Sequence, residues 1–331
     1  MFFSWKLRTI PILFGVLILA LSAVPLTAKP KPVSGDFTVS LIGRGEFGQL
    51  GEYVFAPDAQ TSIEGSQVAS ELLWDIKPAW FFGMSGEYIF PRRFFLGGSY
   101  LGAMPAGTGY MYDRDWLAVD LPFRVNQLDP DSPTRYSRHD VYLTGAHAGE
   151  LFLGRWFVLV NGMHLTPLVG FGVKYYAMNA TDGTGVYSSG NVTFYGTVIS
   201  YRQYYTSFFL GASAVVSPLE QLSITATIKG SPGLTSVEAI DHHYRRNMEF
   251  YDEISGGMML EGEIRFDLNT SSSSSIWFAL GGSMIPQMQG KTTTLFTSTG
   301  YVPQPTENGA GASLYIARLS AGTRIIGSIF K

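Results

Sequence analysis

One pattern restricts this chain more than any other: long runs that alternate apolar and polar residues, in a sequence that has no spanning helix after its first 28 residues. In SGGMMLEGEIRFDLN, Leu260, Gly262, Ile264, Phe266 and Leu268 alternate with Glu261, Glu263, Arg265 and Asp267. QLSITATIKG repeats the pattern, with Leu222, Ile224, Ala226 and Ile228 opposing Ser223, Thr225, Thr227 and Lys229. A period of two marks a strand with one apolar and one polar face. The pattern predicts ten strands, over about 37–55, 66–90, 93–108, 136–152, 157–179, 198–217, 221–241, 252–269, 275–292 and 313–330. Most exceed the ~5–6 residues usual in globular sheets.

The connections alternate in length. Short ones fall at PRR, LGR, SPLEQ and the Ser271–Ser275 run; longer ones fall near 56–65, 109–135, 180–197, 242–251 and 293–312. An even number of strands, with short turns on one side and longer loops on the other, is the layout of a closed membrane barrel. Closure is needed because lipid cannot satisfy a free sheet edge. Composition agrees. Charged residues are 15%, against roughly 25% in ordinary globular domains, and aromatics reach 14%. Aromatic clusters at strand ends (WFF at 80–82, RRFF at 92–95, RWF at 155–157, YRQYY at 201–205) suit girdles at the two interfaces. The fold expected is all-β: a ten-stranded antiparallel transmembrane β-barrel forming a single domain.

The first residues fit export. Lys6 and Arg8 precede the apolar run TIPILFGVLILALSAV, which breaks at Pro25 near the small residues Ala23 and Ala28. That order is a signal peptide over residues 1–28, leaving 29–331 as the barrel. With no cysteine, disulfide frameworks, thiol nucleophiles and thiolate zinc sites are excluded. A net charge of −3 gives no footprint for a nucleic-acid partner.

The strand count also places the chemistry. GTGYMYDRDWLAVD lies between the third and fourth strands, and AIDHHYRRN follows the seventh. Both connections belong to the long set, so Asp113, Asp115, Asp241, His242 and His243 gather at one mouth. Polar groups converging from distant segments are the pattern of a site. Taken singly, each is also an ordinary turn, since Asp favours turns. His139 is expected to support a loop, His147 and His164 to be packed or to face the lumen, and Glu261 and Arg265 to be ion-paired.

DRDW at 113–116, SRHD at 137–140, ISYRQ at 199–203 and DHHY at 241–244, in that order on ten strands, resemble the omptin family of outer-membrane proteases. The resemblance spans roughly 37–330. It implies that Asp113, Asp115, Asp241 and His243 take catalytic positions in an aspartic-type endopeptidase at the cell surface, with His242 at a variable place. It also implies a water activated by the Asp/His pair opposite the Asp pair. Glu52, in GEYVF, matches one acid of the family's pocket for a basic substrate residue. Ala239 stands where a second acid is expected, with Glu238 on the other strand face, and Arg135 stands near a third.

The partners implied are peptide or protein substrates and outer-membrane lipid, with no nucleic acid. No metal or organic cofactor is implied. The family depends on lipopolysaccharide gripped from outside the barrel, yet Tyr204 and Tyr205 follow YRQ here where a basic residue is expected. Lipopolysaccharide, or another outer-leaflet lipid, is the only accessory group the resemblance suggests. Three alternatives stand beside the protease: a catalytically weak omptin-like adhesin or receptor, a pore, and a lipid hydrolase with a serine nucleophile. Ten strands make too narrow a lumen to favour the pore.

Overall fold

A computed structural model describes residues 35–56, 67–120, 123–126, 129, 131–160 and 163–328. The expected signal peptide and the apolar, aromatic end Ile329–Phe330–Lys331 lie outside the described residues. Among those described, twelve strands form one sheet: β1 (Asp36–Phe55), β2 (Val68–Ile89), β3 (Phe94–Ala103), β4 (Ala106–Asp115), β5 (Arg135–Arg155), β6 (Phe157–Val160), β7 (Met163–Tyr187), β8 (Gly190–Leu219), β9 (Leu222–His243), β10 (Met248–Asn269), β11 (Ser274–Phe296) and β12 (Thr306–Ser328).

The sheet closes on itself as ten staves. β1 pairs antiparallel with both β2 and β12. β3 and β4 occupy one stave, because each pairs with β2 on one side and β5 on the other. The stave breaks at Met104–Pro105, where proline contributes no N–H to a ladder. β5 then pairs with β7, and the ring continues in sequence order to β12. β6 is a short extension of the hairpin into β7. Every stave therefore has two hydrogen-bonded neighbours, as an apolar solvent requires.

The outer wall carries an apolar belt towards the short-turn end. Trp80, Phe82 and Met84 on β2, Leu151 on β5, Phe208 and Leu210 on β8, and Phe278 and Leu280 on β11 all point outward and are more than half exposed. Beyond this belt the outward positions turn polar, with Arg138 and Asp140 on β5, Arg202 on β8, Glu238 on β9 and Glu253 on β10. Lipid covers the first set and water the second.

Inside, side chains cross the lumen and fill its middle. Phe81 meets Tyr176 edge-on at 6.4 Å between centroids, Trp74 stacks on Tyr201 at 5.2 Å, and the Tyr176 hydroxyl donates to Glu46 at 2.8 Å. A packed lumen is what so small a barrel permits.

The ladder runs further than the sequence pattern indicates. The segments expected as long loops at 180–197 and 242–251 are mostly strand: β7 turns into β8 at Ser188–Ser189, and β9 into β10 at Tyr244–Asn247. Likewise, residues 109–115 belong to β4 and not to a loop. Outward residues there, such as Asp182, Thr184 and Thr193, face water and are polar, so the outer face has no apolar stripe, while Met111 and Phe194 still pack inward and the backbone pairing persists.

Candidate active site

DRDW is a strand end, and its spacing follows from the pleat. Asp113 and Asp115 point inward and are nearly buried, at 9% and 4% exposure. Arg114 points outward, where it pairs with Glu71 directly opposite on β2, at 3.0 Å. The strand end is tied down from behind. Thr134 N–H donates to Asp115 O at 2.7 Å, its hydroxyl donates to the same oxygen at 3.1 Å, and Trp116 N–H donates to Ala69 O at 2.8 Å. Arg135 grips Asp120 at 2.6 Å, tying the short Ala118–Asp120 turn to the start of β5.

On β9 the same parity separates the histidines. Asp241 and His243 face inward with Ala239 and Val237, while Glu238 and His242 face out. His242 bonds Glu249 through Nδ1 at 2.8 Å and packs on Tyr244 at 4.3 Å, on the outer wall. His243 Nε2 contacts Asp241 Oδ2. A carboxylate only accepts, so Nε2 carries the hydrogen and Nδ1 is left as the basic nitrogen. Phe250 stands edge-on to the ring at 5.5 Å.

The two pairs share one cleft. Arg246, from the β9–β10 turn, reaches Asp115 at 3.9 Å. Burial, then the charge of Asp115, pushes the Asp113 carboxyl up to about 7, against the pull of Arg246 and His243. Burial disfavours the His243 imidazolium, but the charge and hydrogen bond of Asp241 outweigh it and hold the group above its ordinary value. The cleft lies beyond the apolar belt, so these groups titrate against water.

Two further acids lie at the cleft floor. Glu52, on β1, is buried at 2% exposure against Asp241. Asp252, on β10, sits directly across the ladder from Ala239, faces inward and is 6% exposed; burial pushes it up to about 7. Only the register of two neighbouring strands shows that Asp252 occupies the space opened by Ala239, and the sequence offers no signal for it. Beneath these acids lie Trp74 and Tyr201, both fully buried. Among the described residues, no group of three or more His, Asp or Glu side chains is arranged to hold a metal.

The remaining histidines are placed more simply. His139 is buried on β5, between Ser137 Oγ at 2.9 Å and Asp182 O at 2.6 Å, so it supports the strand wall between β5 and β7 and not a loop. His164 packs near Trp156 at the short-turn end. His147 does not face the lumen: it lies on the outer wall between the rings of Tyr100 and Tyr175, at 5.8 and 6.0 Å, and bonds the Tyr100 hydroxyl at 2.9 Å. Of the two tyrosines after YRQ, Tyr204 faces out and Tyr205 is buried inside.

A closed ten-stave barrel with an apolar outer belt and an acidic cleft beyond it defines the class, a transmembrane β-barrel of the outer membrane. Residues 40–325 match the model of the omptin family, and the chain belongs to that family. The outer membrane protease OmpP of Escherichia coli (strain K12) is 21% identical over 304 residues, covering 89% of this chain and 90% of the relative. The crystal structure of the outer membrane protease OmpT from Escherichia coli matches with a TM-score of 0.78 at 17% identity, over 90% of this chain and 99% of that one.

Proposed function

We propose that this protein is a cell-surface endopeptidase of aspartic type, in which Asp113, Asp115, Asp241 and His243 act on a water molecule in the cleft. The observation that carries the reading is the inward parity of two strand ends. It sets a carboxylate pair and an Asp–His pair on one cleft, close enough that Asp113 and His243 shift each other's protonation.

In the reaction, His243 Nδ1 removes a proton from water as its oxygen attacks the peptide carbonyl carbon. Asp241 stabilises the imidazolium that forms. Asp113 holds the water from the facing wall. In its neutral form it donates to the oxygen that gains charge, while Asp115 and its bound Arg246 fix its place. When the C–N bond breaks, the proton on His243 passes to the leaving amine. No acyl-enzyme is formed, and no serine is needed. The mouth faces outward from the cell, because the short turns lie at the opposite end.

A preference for Arg or Lys before the cut draws on the floor acids, Glu52 as the sequence suggests and Asp252 beside Ala239. Lipopolysaccharide or another outer-leaflet lipid would be met by the outward Arg202 and Tyr204.

The test is cleavage of a mixed peptide library by refolded barrels. Asp113→Ala and His243→Ala should each lower kcat about 10²–10⁴-fold, the range for a lost general acid or base. If both variants, shown to be folded, cut as fast as wild type, the assignment fails. A folded wild-type barrel that cuts nothing, with or without lipopolysaccharide, would instead favour a surface-binding protein.

A further inference from the structure

The cleft carries opposite charge on its two sides. A line from the Asp–His strand end on β9 to the acid-pair strand end on β4 divides the ring. On one side lie β10, β11, β12, β1 and β2; on the other lie β5, β7 and β8. Glu52 and Asp252 face inward on the first side. Among the described residues, the cations beyond the belt there, Lys77, Arg114 and Lys291, point outward and pair with Asp75, Glu71 and Glu253.

The second side carries three arginines. Arg135 lies directly across the ladder from Asp115, so it shares the inward face, and it stands over the Tyr187 ring at 5.9 Å. Arg245, from the β9–β10 turn, lies over the Phe194 ring of β8 at 4.6 Å. Phe194 meets Tyr187 edge-on at 6.3 Å, so the two rings make one wall with a guanidinium group on each. Arg246, from the same turn, reaches Asp115 at 3.9 Å.

These arginines differ in what they have left to donate. Arg135 is held by both oxygens of Asp120, at 2.6 and 3.3 Å. Among the described residues Arg245 enters no ion pair, and the one ion-pair contact of Arg246 is too long for a hydrogen bond. Both are exposed, with planar N–H donors facing an incoming carboxylate. Asp120 offsets Arg135, so the surplus positive charge on this side is that of Arg245 and Arg246.

We propose that the cleft selects a dipolar substrate, in which an acidic side chain within two residues after the cut is held by Arg245 and Arg246. An extended peptide whose scissile bond lies between the two pairs must cross from one side of the ring to the other. With its basic residue over Glu52 and Asp252, its next residues run along the Tyr187–Phe194 wall. There an aspartate or glutamate takes N–H donors from the turn, whereas a lysine meets only like charge. Which side precedes the cut rests on the protease reading above; the opposition of the charges does not.

The experiment uses peptides with Arg before the cut and Glu, Gln or Lys after it. For wild type, kcat/KM should be about 5–10-fold higher with Glu than with Gln, as expected of a charge-assisted bond at a partly exposed site, and lowest with Lys. Arg245→Gln with Arg246→Gln should bring the Glu-to-Gln ratio to about one, and Arg245→Lys with Arg246→Lys should restore part of it. The ratio is taken within each variant, so a loss of kcat common to both peptides cancels. Equal cutting of the Glu and Gln peptides by wild type would overturn the proposal and leave the protease standing. A Glu preference that survives the double Gln variant would overturn it as well.

Binding separates this proposal from the protease reading. Peptides made uncleavable by N-methylation of the scissile bond should bind wild type with a Kd about 5–10-fold lower for Glu than for Gln. If no peptide is cut, the protease reading falls, and equal affinities in this pair would then overturn the dipolar cleft too.

Discussion

The lumen contains two charged regions built on opposite terms. At the short-turn end, Glu261 receives Lys174 at 3.3 Å, Lys229 at 3.3 Å and Arg318 at 3.1 Å, and Lys229 also holds Glu150. Asp267 receives Arg265 at 2.8 Å and Arg324 at 3.1 Å. These ion pairs line a cavity of about 850 Å³. At the cleft end, among the described residues, Glu52, Asp113, Asp115, Asp241 and Asp252 share as ion-pair partners only His243 and Arg246. The same strands and the same inward parity serve both. Charge that is matched stiffens the barrel, whereas charge left in excess keeps its protons mobile and its oxygens available. An acid in the first region is structural, and an acid in the second costs stability for the sake of chemistry.

Removing the hub of the paired region should have the largest effect on stability. Glu261→Ala strips a shared partner from three buried cations, and breaking a buried pair in this way costs about 3–5 kcal/mol. The urea midpoint of the barrel in micelles should fall accordingly, while kcat of the folded fraction stays near wild type. Asp113→Ala should do the reverse, removing activity with no loss in midpoint. Equal loss of stability from both variants would dissolve the distinction between the two regions.

A second effect comes from pH and tests the excess-charge region alone. Asp113 and Asp252 have ordinary values of 3.8 and folded values of about 7. Between these limits the folded state binds more protons than the unfolded state, so their contribution is fully present below the ordinary value and is lost as pH rises through about 7. His243, also raised, acts with the same sign. The midpoint should therefore drop between about pH 5.5 and pH 8, each carboxyl contributing on the order of 1–2 kcal/mol. Asp113→Asn with Asp252→Asn should flatten the slope. A wild-type barrel that is equally stable at both ends of that window would show that the cleft acids are ordinary.

The ten staves and the parity of the site were legible because both depend on a period of two. Alternation in 255–269 and 221–230 gave strands with one face to lipid, and Asp-x-Asp and Asp-x-His could only point one way together. The strand extensions at 109–115, 180–187 and 190–197 were not legible, because a ladder standing in water has a polar outer face, and the few inward apolar residues such as Met111 and Phe194 do not make a stripe. His147, expected to be packed or to face the lumen, is packed between tyrosines of both neighbouring strands, and a single histidine in an apolar strand does not reveal which wall it packs on. The burial of Glu52 at the cleft floor and the placing of Asp252 beside Ala239 depend on lumen width and strand register. No local pattern carries either.

The smallest effect concerns selectivity, and it separates the roles of the two floor acids. Asp252 lies across the ladder from Ala239 and beside Thr292, its partner on β11. Asp252 titrates at about 7, while Asp241 is committed to His243. Asp252→Asn keeps the shape but removes the charge. It should reduce the kcat/KM preference for Arg or Lys over Gln before the cut by about 5–10-fold, the worth of roughly 1 kcal/mol from one partly screened charge. The wild-type preference should itself strengthen as pH rises through about 7, where Asp252 ionises, and this dependence should vanish in the variant. Selectivity that is flat with pH in wild type would remove Asp252 from the substrate's path and leave Glu52 as the acid to choose by.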